Sequence, residues 1–270
     1  MTMPIDLVLV RHGQSEGNAA KRRAESGDAT AYSEEFLNRH TRSFRLTKLG
    51  REQAASAGQW LTNEFFEGSV GFDRYITSEY VRAMETAGLL ALPRAIWLRH
   101  FYLTERDWGD LELLPPQERE DKFGAALRMR DIEPFFWSPP NGESFAALCL
   151  RLDRVLYTLH RECSDKRVII VCHGEVMWAF RVLLERMSQT RFKELHLSKN
   201  PEHRIHNCQV LHYTRRDPET GALAKYANWM RTVRPTESPV WTQGWKTFKR
   251  PRYTNEELLK VVARSPGVLE

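Results

Sequence analysis

The sequence predicts an α/β fold, a three-layer α/β/α sandwich around a mostly parallel sheet, and two observations carry this prediction. Two short apolar runs, residues 7–10 and 168–172, have the composition of strands buried on both faces of a parallel sheet. Each run leads into a helix: the first is predicted to begin near Ser15, and the second continues through Val176 and Phe180. Alternation of buried strands with helices is typical of a sheet covered on both faces.

The elements follow one another along the chain from a first strand over 5–10. Thr47 is a suitable N-cap for the next long helix, in which Ala54, Ala57 and Leu61 recur at the spacing of an amphipathic helix. The same reasoning predicts further elements, which are strands over 72–77, 96–98, 209–213 and 223–226 and helices over 79–90, 145–161 and 256–262.

Arg82 stands out in the predicted helix over 79–90. Ser78 is a suitable N-cap for this helix, which places Arg82 in the first turn. The helix dipole disfavours a cation at that position. A surface arginine is the commoner case, but the position also favours a functional reason for Arg82.

Length and composition fit one large domain. We predict a catalytic domain over 1–228, with a long insertion or lid over 19–45, and a C-terminal extension over 229–270 that packs on the domain. The 19–45 stretch is polar, charged and poorly periodic, so a pair of solvated surface helices is an equal alternative for it.

The charge and cysteine content exclude several classes of protein. The 40 basic and 35 acidic residues give a net charge of +5 and are interspersed, which predicts an ordinary surface and no binding of nucleic acid. The 4 cysteines form no C-x-x-C pair and have no histidines at zinc spacing, so we expect no metal, no cofactor and a reduced, cytoplasmic location. We see no signal peptide and expect no contact with a membrane.

Both apolar runs end in the dipeptide His-Gly. The first continues as Arg11-His12-Gly13 and the second as His173-Gly174-Glu175. A single histidine at a strand end fits a structural role equally well. Adjacent parallel strands, however, would bring both imidazoles to the same edge of the sheet, which is where ligands bind in open α/β sheets.

The ordered set of local patterns resembles the histidine phosphatase superfamily, whose fold is called phosphoglycerate-mutase-like. The matching patterns are LVLVRHGQSEGN at 7–18, LTKLGREQA at 46–54, TSEYVRAMETA at 77–87, LTERDWGDLE at 103–112, VIIVCHGEV at 168–176 and, more weakly, PNGES at 140–144. The acidic residue in a Leu-x-Glu-Arg-x-Trp-Gly context is similar to the mutase and broad-specificity phosphatase branch.

The resemblance implies a role for each matching residue. His12 would be the nucleophile that becomes phosphohistidine, and Glu105 the proton donor. The phosphoryl oxygens would be bound by Arg11, Arg82 and His173. We add candidate substrate-binding residues, which are Ser15, Asn18, Arg45, Arg128 and Gly174.

The chemistry sets requirements on three of these side chains. His12 must attack as a neutral imidazole, so its other ring nitrogen should donate to a backbone carbonyl. A protonated His173 would suit the phosphoryl oxygens. Glu105 needs a raised pKa to act as an acid, which nearby Leu103 and Trp108 would favour.

The substrate stays open at this point. We expect a phosphomonoesterase for a small phosphorylated substrate. The alternatives are a phosphoglycerate mutase-type phosphotransferase and a phosphoryl-binding protein with little turnover. Against the mutase, Arg128 and Arg130 are separated by Met129, whereas mutases of this type have adjacent basic residues in that segment. An oligomer is compatible with the sequence.

Overall fold

The central sheet has seven strands in the part of the chain that the computed structural model describes, residues 2–66, 68, 71–248, 250–265 and 267. The strands are β1 (Asp6–Arg11), β2 (Arg74–Ser78), β3 (Trp97–His100), β4 (Arg167–Cys172), β5 (Val210–Thr214), β6 (Trp229–Arg234) and β7 (Trp241–Thr247). Their order is β3-β2-β4-β1-β5-β6-β7. The first four strands of that order are parallel, and β5, β6 and β7 each pair antiparallel.

Helices cover both faces of the sheet, which confirms the predicted α/β sandwich. They are α1 (Glu16–Glu25), α2 (Glu34–Leu37), α3 (Lys48–Phe66), α4 (Val81–Leu89), α5 (Pro116–Ile132), α6 (Phe145–Glu162), α7 (Gly174–Glu185), α8 (Gln189–His196) and α9 (Asn255–Val262). Successive residues of a strand point to opposite faces. Leu7 and Leu9 therefore join one core with α6 and α7, and Val8 and Val10 join the other with α3 and α4.

The pairing of β1 with β4 brings the two His-Gly dipeptides together. Arg11 lies opposite Cys172 in the parallel register, so the next residue of each strand is a histidine at the same edge. The backbone N–H of His12 donates to the carbonyl of Cys172 at 3.0 Å. The predicted adjacency of the two imidazoles is confirmed.

Of the two predicted N-caps, Thr47 is confirmed and Ser78 is not, and α1 begins next to Ser15 as predicted. The side-chain oxygen of Ser15 accepts from the backbone N–H of Asn18, and that of Thr47 accepts from the N–H of Gly50 at 3.1 Å. The prediction for Ser78 was wrong, because α4 begins at Val81 and has no side-chain cap. Two helices, α5 and α8, had no predicted counterpart; α5 buries none of its residues, so it has no apolar periodicity to find.

The chain after residue 214 differs most from the prediction. Residues 223–226 form no strand, only an isolated bridge between Arg216 and Leu223. Residues 229–247, expected to pack on the domain as an extension, instead lengthen its sheet by β6 and β7. The physical reason is that β5 has an open edge, whose backbone groups β6 satisfies by antiparallel pairing.

The 19–45 stretch is partly helical and reaches the edge of the sheet where the histidines lie. It contains most of α1, all of α2 and a 3₁₀ turn over Thr41–Ser43. None of the helices in the described residues is long and apolar enough to cross a membrane.

Candidate active site

His12 is held as a neutral imidazole with a defined tautomer. Its Nδ1 donates to the carbonyl of Gly13 at 2.7 Å, and its Nε2 accepts from the Nε of Arg82 at 3.1 Å. Burial, followed by the charges of Arg82 and Arg11, lowers the pKa of His12 well below its usual value. Nε2 therefore has a free electron pair at neutral pH, in agreement with the prediction for His12.

Two guanidinium groups flank this imidazole. The Nη1 of Arg82 donates to the carbonyl of Thr41 at 2.8 Å, which ties the 19–45 stretch to the site. The Nη1 of Arg11 donates to the carbonyl of Ile205 at 2.5 Å, and its buried Nε has no partner in the described residues. Among the described residues, no carboxylate lies within ion-pair distance of Arg11 or Arg82. The positive charges of both are therefore available to bind an anionic ligand.

His173 packs edge-to-face against His12, with ring centroids 5.1 Å apart. Its Nε2 lies 2.8 Å from the hydroxyl oxygen of Ser78, the residue expected to cap α4. Burial, followed by the charges of Arg82 and Arg11, lowers the pKa of His173 well below its usual value. The expectation of a protonated His173 was therefore wrong for the ligand-free protein, because the cations around it and its burial both oppose a further charge.

Glu105 lines the same cavity and has the pKa that acid catalysis requires. Burial, followed by the charge of Glu175, raises its pKa to about 7, against the opposing effects of Arg82 and Arg11. The carboxylate accepts one hydrogen bond at 2.9 Å, from the backbone N–H of Arg106. At neutral pH Glu105 is thus close to half protonated.

Two arginines fix the loop that carries Glu105. Arg151 donates to the Glu105 carbonyl at 3.2 Å and pairs with the carboxylate of Glu143 at 2.7 Å. Arg106 donates to the Glu143 carbonyl at 2.8 Å and stacks over the ring of Trp108 at 4.8 Å. The PNGES turn contains Glu143 and lies far from Glu105 in the sequence, and through these two arginines it helps to position Glu105.

Glu175 forms a buried cluster beside Glu105 that the sequence did not predict. One oxygen lies 2.9 Å from the Nε2 of His196, and the other 3.5 Å from the Nη1 of Arg106. Burial would raise the pKa of Glu175, but His196 and Arg106 outweigh it and lower the pKa to about 2. The cavity wall thus holds an ionised carboxylate, Glu175, beside Glu105, which titrates near neutrality.

Three of the predicted substrate-binding residues, Ser15, Asn18 and Gly174, do line the cavity. The Oδ1 of Asn18 accepts from Asn207 at 3.0 Å, which leaves the amide nitrogen of Asn18 available to a ligand. Asn207 also donates to the carbonyl of His12 at 3.0 Å. Asn207 lies far from Asn18 and His12 in the sequence, so only the fold shows that it braces the site.

The other two, Arg45 and Arg128, lie outside the cavity. Arg45 is exposed and pairs with Glu85 at 2.9 Å, while Arg128 is exposed near Glu120. The cavity lining therefore does not include this predicted pair, because local sequence does not show which way an exposed side chain points. Cations that the sequence did not single out line the cavity instead, namely Lys21, Arg119, Arg130 and Arg204.

Gly13, the residue after His12, has a packing role beside the site. A Cβ at Gly13 would lie 2.3 Å from the carbonyl oxygen of Gly50, and one at Gly50 would lie 2.0 Å from that of Gln14. The two glycines therefore allow α3 to pack directly against the loop that carries His12.

The complete cavity has a volume of about 520 Å³, and it places a neutral nucleophile, two unpaired guanidinium groups and a titratable carboxyl together. Permanent cations suit the oxygens of a phosphoryl group, whose transfer depends mostly on positioning and electrostatic stabilisation. No group of three or more His, Cys, Asp or Glu side chains able to hold a metal ion occurs among the described residues.

Solved structures with the same fold include phosphatases. An α-ribazole phosphatase from Shigella flexneri has a TM-score of 0.59 and 21% identity, over 82% of this chain and 96% of that one. A mycobacterial glucosyl-3-phosphoglycerate phosphatase, in complex with VO₃, has a TM-score of 0.58 and 22% identity, over 77% of this chain and 92% of that one. At this level of identity the likeness shows the fold alone.

Relatives in sequence include transferases and phosphatases. A 2,3-bisphosphoglycerate-dependent phosphoglycerate mutase of Methylorubrum extorquens is 30% identical over 71% of this chain and 84% of that protein. The human 6-phosphofructo-2-kinase/fructose-2,6-bisphosphatase 4 is 28% identical over 75% of this chain and 37% of that protein. The family model of the histidine phosphatase superfamily (branch 1) matches residues 7–222. This chain therefore belongs to branch 1 of the histidine phosphatase superfamily.

Proposed function

We propose that the protein is a phosphomonoesterase that hydrolyses a small phosphorylated substrate through a phosphohistidine at His12. The observation that carries this proposal is the neutral, unprotonated Nε2 of His12, set between Arg11 and Arg82 in a cavity that also contains Glu105.

In the first half-reaction, the Nε2 electron pair of His12 forms a bond to phosphorus as the ester P–O bond breaks. Arg82 then exchanges its hydrogen bond to Nε2 for one to a phosphoryl oxygen, and Arg11 offers its unpartnered Nε. The leaving alkoxide takes the proton of Glu105, so an alcohol departs and Glu105 becomes a carboxylate.

In the second half-reaction, water attacks phosphorus and gives a proton to the Glu105 carboxylate. The P–N bond breaks, its electron pair returns to Nε2, and inorganic phosphate leaves. His12 is again neutral and Glu105 is again protonated, so the cycle closes with one water consumed.

A mutase is the second candidate, since a phosphoglycerate mutase is among the relatives at 30% identity. We expect phosphate release from monoesters that 2,3-bisphosphoglycerate does not stimulate, because Arg128 lies outside the cavity while Arg130 lines it, so the two do not act together on a substrate as a pair of adjacent basic residues would. The test is a panel of phosphorylated metabolites and phosphopeptides assayed for phosphate, with conversion of 3- to 2-phosphoglycerate run in parallel. Rapid, 2,3-bisphosphoglycerate-dependent conversion would reverse the order of the two candidates.

The raised pKa of Glu105 predicts the pH dependence of alkyl ester hydrolysis. The value of kcat/KM should fall above about pH 7, because Glu105 must be protonated to act as the acid. Glu175→Gln removes a charge that raises this pKa, so the falling limb should move to lower pH. His12 stays neutral over this range and adds no limb near neutrality.

The control is Glu185→Gln, which removes a charge at the other end of α7 while its amide can still bond to Arg181. Its pH profile should match that of the wild type. A Glu175→Gln profile that falls at the wild-type pH would show that Glu175 does not act on Glu105.

A further inference from the structure

Arg119 is a half-buried cation of the cavity wall without a counter-ion. It lies on α5, and its Nε donates to the carbonyl of Leu114 at 2.8 Å. No carboxylate of the described residues lies within 4.0 Å of its guanidinium, and its two terminal nitrogens have no hydrogen-bond partner there. Burial lowers the pKa of Arg119, yet a guanidinium keeps its charge at any pH at which proteins work.

Comparison with the other arginines of the cavity and of α5 shows that a half-buried guanidinium without a carboxylate partner is unusual in this protein. Arg130, also half-buried at the cavity, pairs with Asp131 at 2.8 Å, and the exposed Arg128 lies near Glu120. The other cavity arginines of the described residues without a carboxylate partner are Arg11 and Arg82, to which the proposed function gives the phosphoryl oxygens, and Arg204, which unlike Arg119 is exposed to solvent. By the same reasoning, the partner of Arg119 is an anion that arrives with the ligand.

Arg119 lines the same cavity as His12 but comes from a different element, α5. The side chains that act electrostatically on it are Tyr32, Glu112, Arg130 and Glu25, of which Glu112 also acts on Arg82. Lys21 and Tyr32, from the 19–45 stretch, line the same cavity as Arg119, and α1 packs against α5.

We propose that Arg119 binds a second anionic group of the substrate, so that the substrate is a phosphate monoester with a further carboxylate or phosphoryl group. The inference rests on the proposed function, since it assumes that the first phosphoryl group lies at His12. A guanidinium fork bonds to either anion through two parallel hydrogen bonds, and the experiment distinguishes them.

The test uses two pairs of esters that differ only in the second anion. The carboxylate pair is 3-phosphoglycerate and glycerol 3-phosphate, and the phosphoryl pair is propane-1,3-diyl bisphosphate and 3-hydroxypropyl phosphate. In at least one pair, the wild type should have the higher kcat/KM for the member that carries the second anionic group. Arg119→Gln should lower kcat/KM for that member by roughly tenfold to a hundredfold, mainly through KM, and change the other member less than about twofold.

Two further variants separate a binding role from a structural one. Lys122→Gln removes an exposed charge on the same helix, paired with Glu118, and should leave the preference unchanged. Arg119→Lys keeps the charge but loses the fork, and should restore part of the preference.

The outcomes distinguish this inference from the proposed function. Hydrolysis without preference for a second anion, or a preference that survives in Arg119→Gln, would overturn the role of Arg119 and leave the phosphatase proposal intact. Failure of the wild type to hydrolyse any ester, including 4-nitrophenyl phosphate, would overturn the proposed function itself.

Discussion

His12→Ala should lower phosphate release by roughly 10⁴-fold or more, the largest effect expected for this chain, because no other group can take the place of a missing nucleophile. The variant should also lose the phosphoenzyme, which the wild type should form as an acid-labile, base-stable adduct. The measurement is rapid quenching with ³²P-labelled substrate, followed by retention of label on protein in acid and in base.

His160→Ala is the matched control, since this histidine lies in the last turn of α6, outside the cavity. It should form the phosphoenzyme and turn over like the wild type. Phosphate release by His12→Ala near the wild-type rate would exclude the phosphohistidine mechanism.

Glu105→Gln should separate substrates by their leaving group. Alkyl phosphates need a proton on the departing oxygen, and loss of general acid catalysis should slow them by about 10²–10⁴-fold. For 4-nitrophenyl phosphate, a stabilised phenolate leaves with little protonation, so transfer to His12 should stay fast. Hydrolysis of phosphohistidine still needs Glu105 as a base, so the variant should give a burst of nitrophenolate followed by slow turnover, and alkyl esters should give no burst.

Asp107→Asn is the control for this experiment, because Asp107 neighbours Glu105 in sequence but is exposed and outside the cavity. It should show neither the burst nor the selective loss. Equal loss for both types of ester in Glu105→Gln, without a burst, would make Glu105 structural and leave Glu175 as the better candidate among the cavity carboxylates.

The sequence by itself determined those parts of the candidate active site that follow from local pattern. The apolar runs before His12 and His173 identify two parallel strands, and the register of such strands brings their ends to one edge. The position of Asn18 at this edge follows from its place in the first turn of α1. These inferences hold because strand and helix geometry is fixed by residues only a few positions apart.

Protonation states needed the tertiary structure. The pattern around Glu105 indicated a raised pKa, but the fold showed that Glu175 adds to the effect of burial. The pattern around His173 gave no sign that nearby cations would keep it neutral. A pKa depends on every charge within several ångströms, and those charges come from distant parts of the chain.

Which cations line the cavity was likewise decided by tertiary structure alone. Arg45 and Arg128 were predicted to bind substrate and Arg119 was not, yet Arg45 is paired with Glu85, Arg128 is exposed, and of the three only Arg119 lines the cavity. Long charged side chains have no preferred direction in the local backbone. The packing of elements that are far apart in the chain decides whether such a side chain can reach a carboxylate.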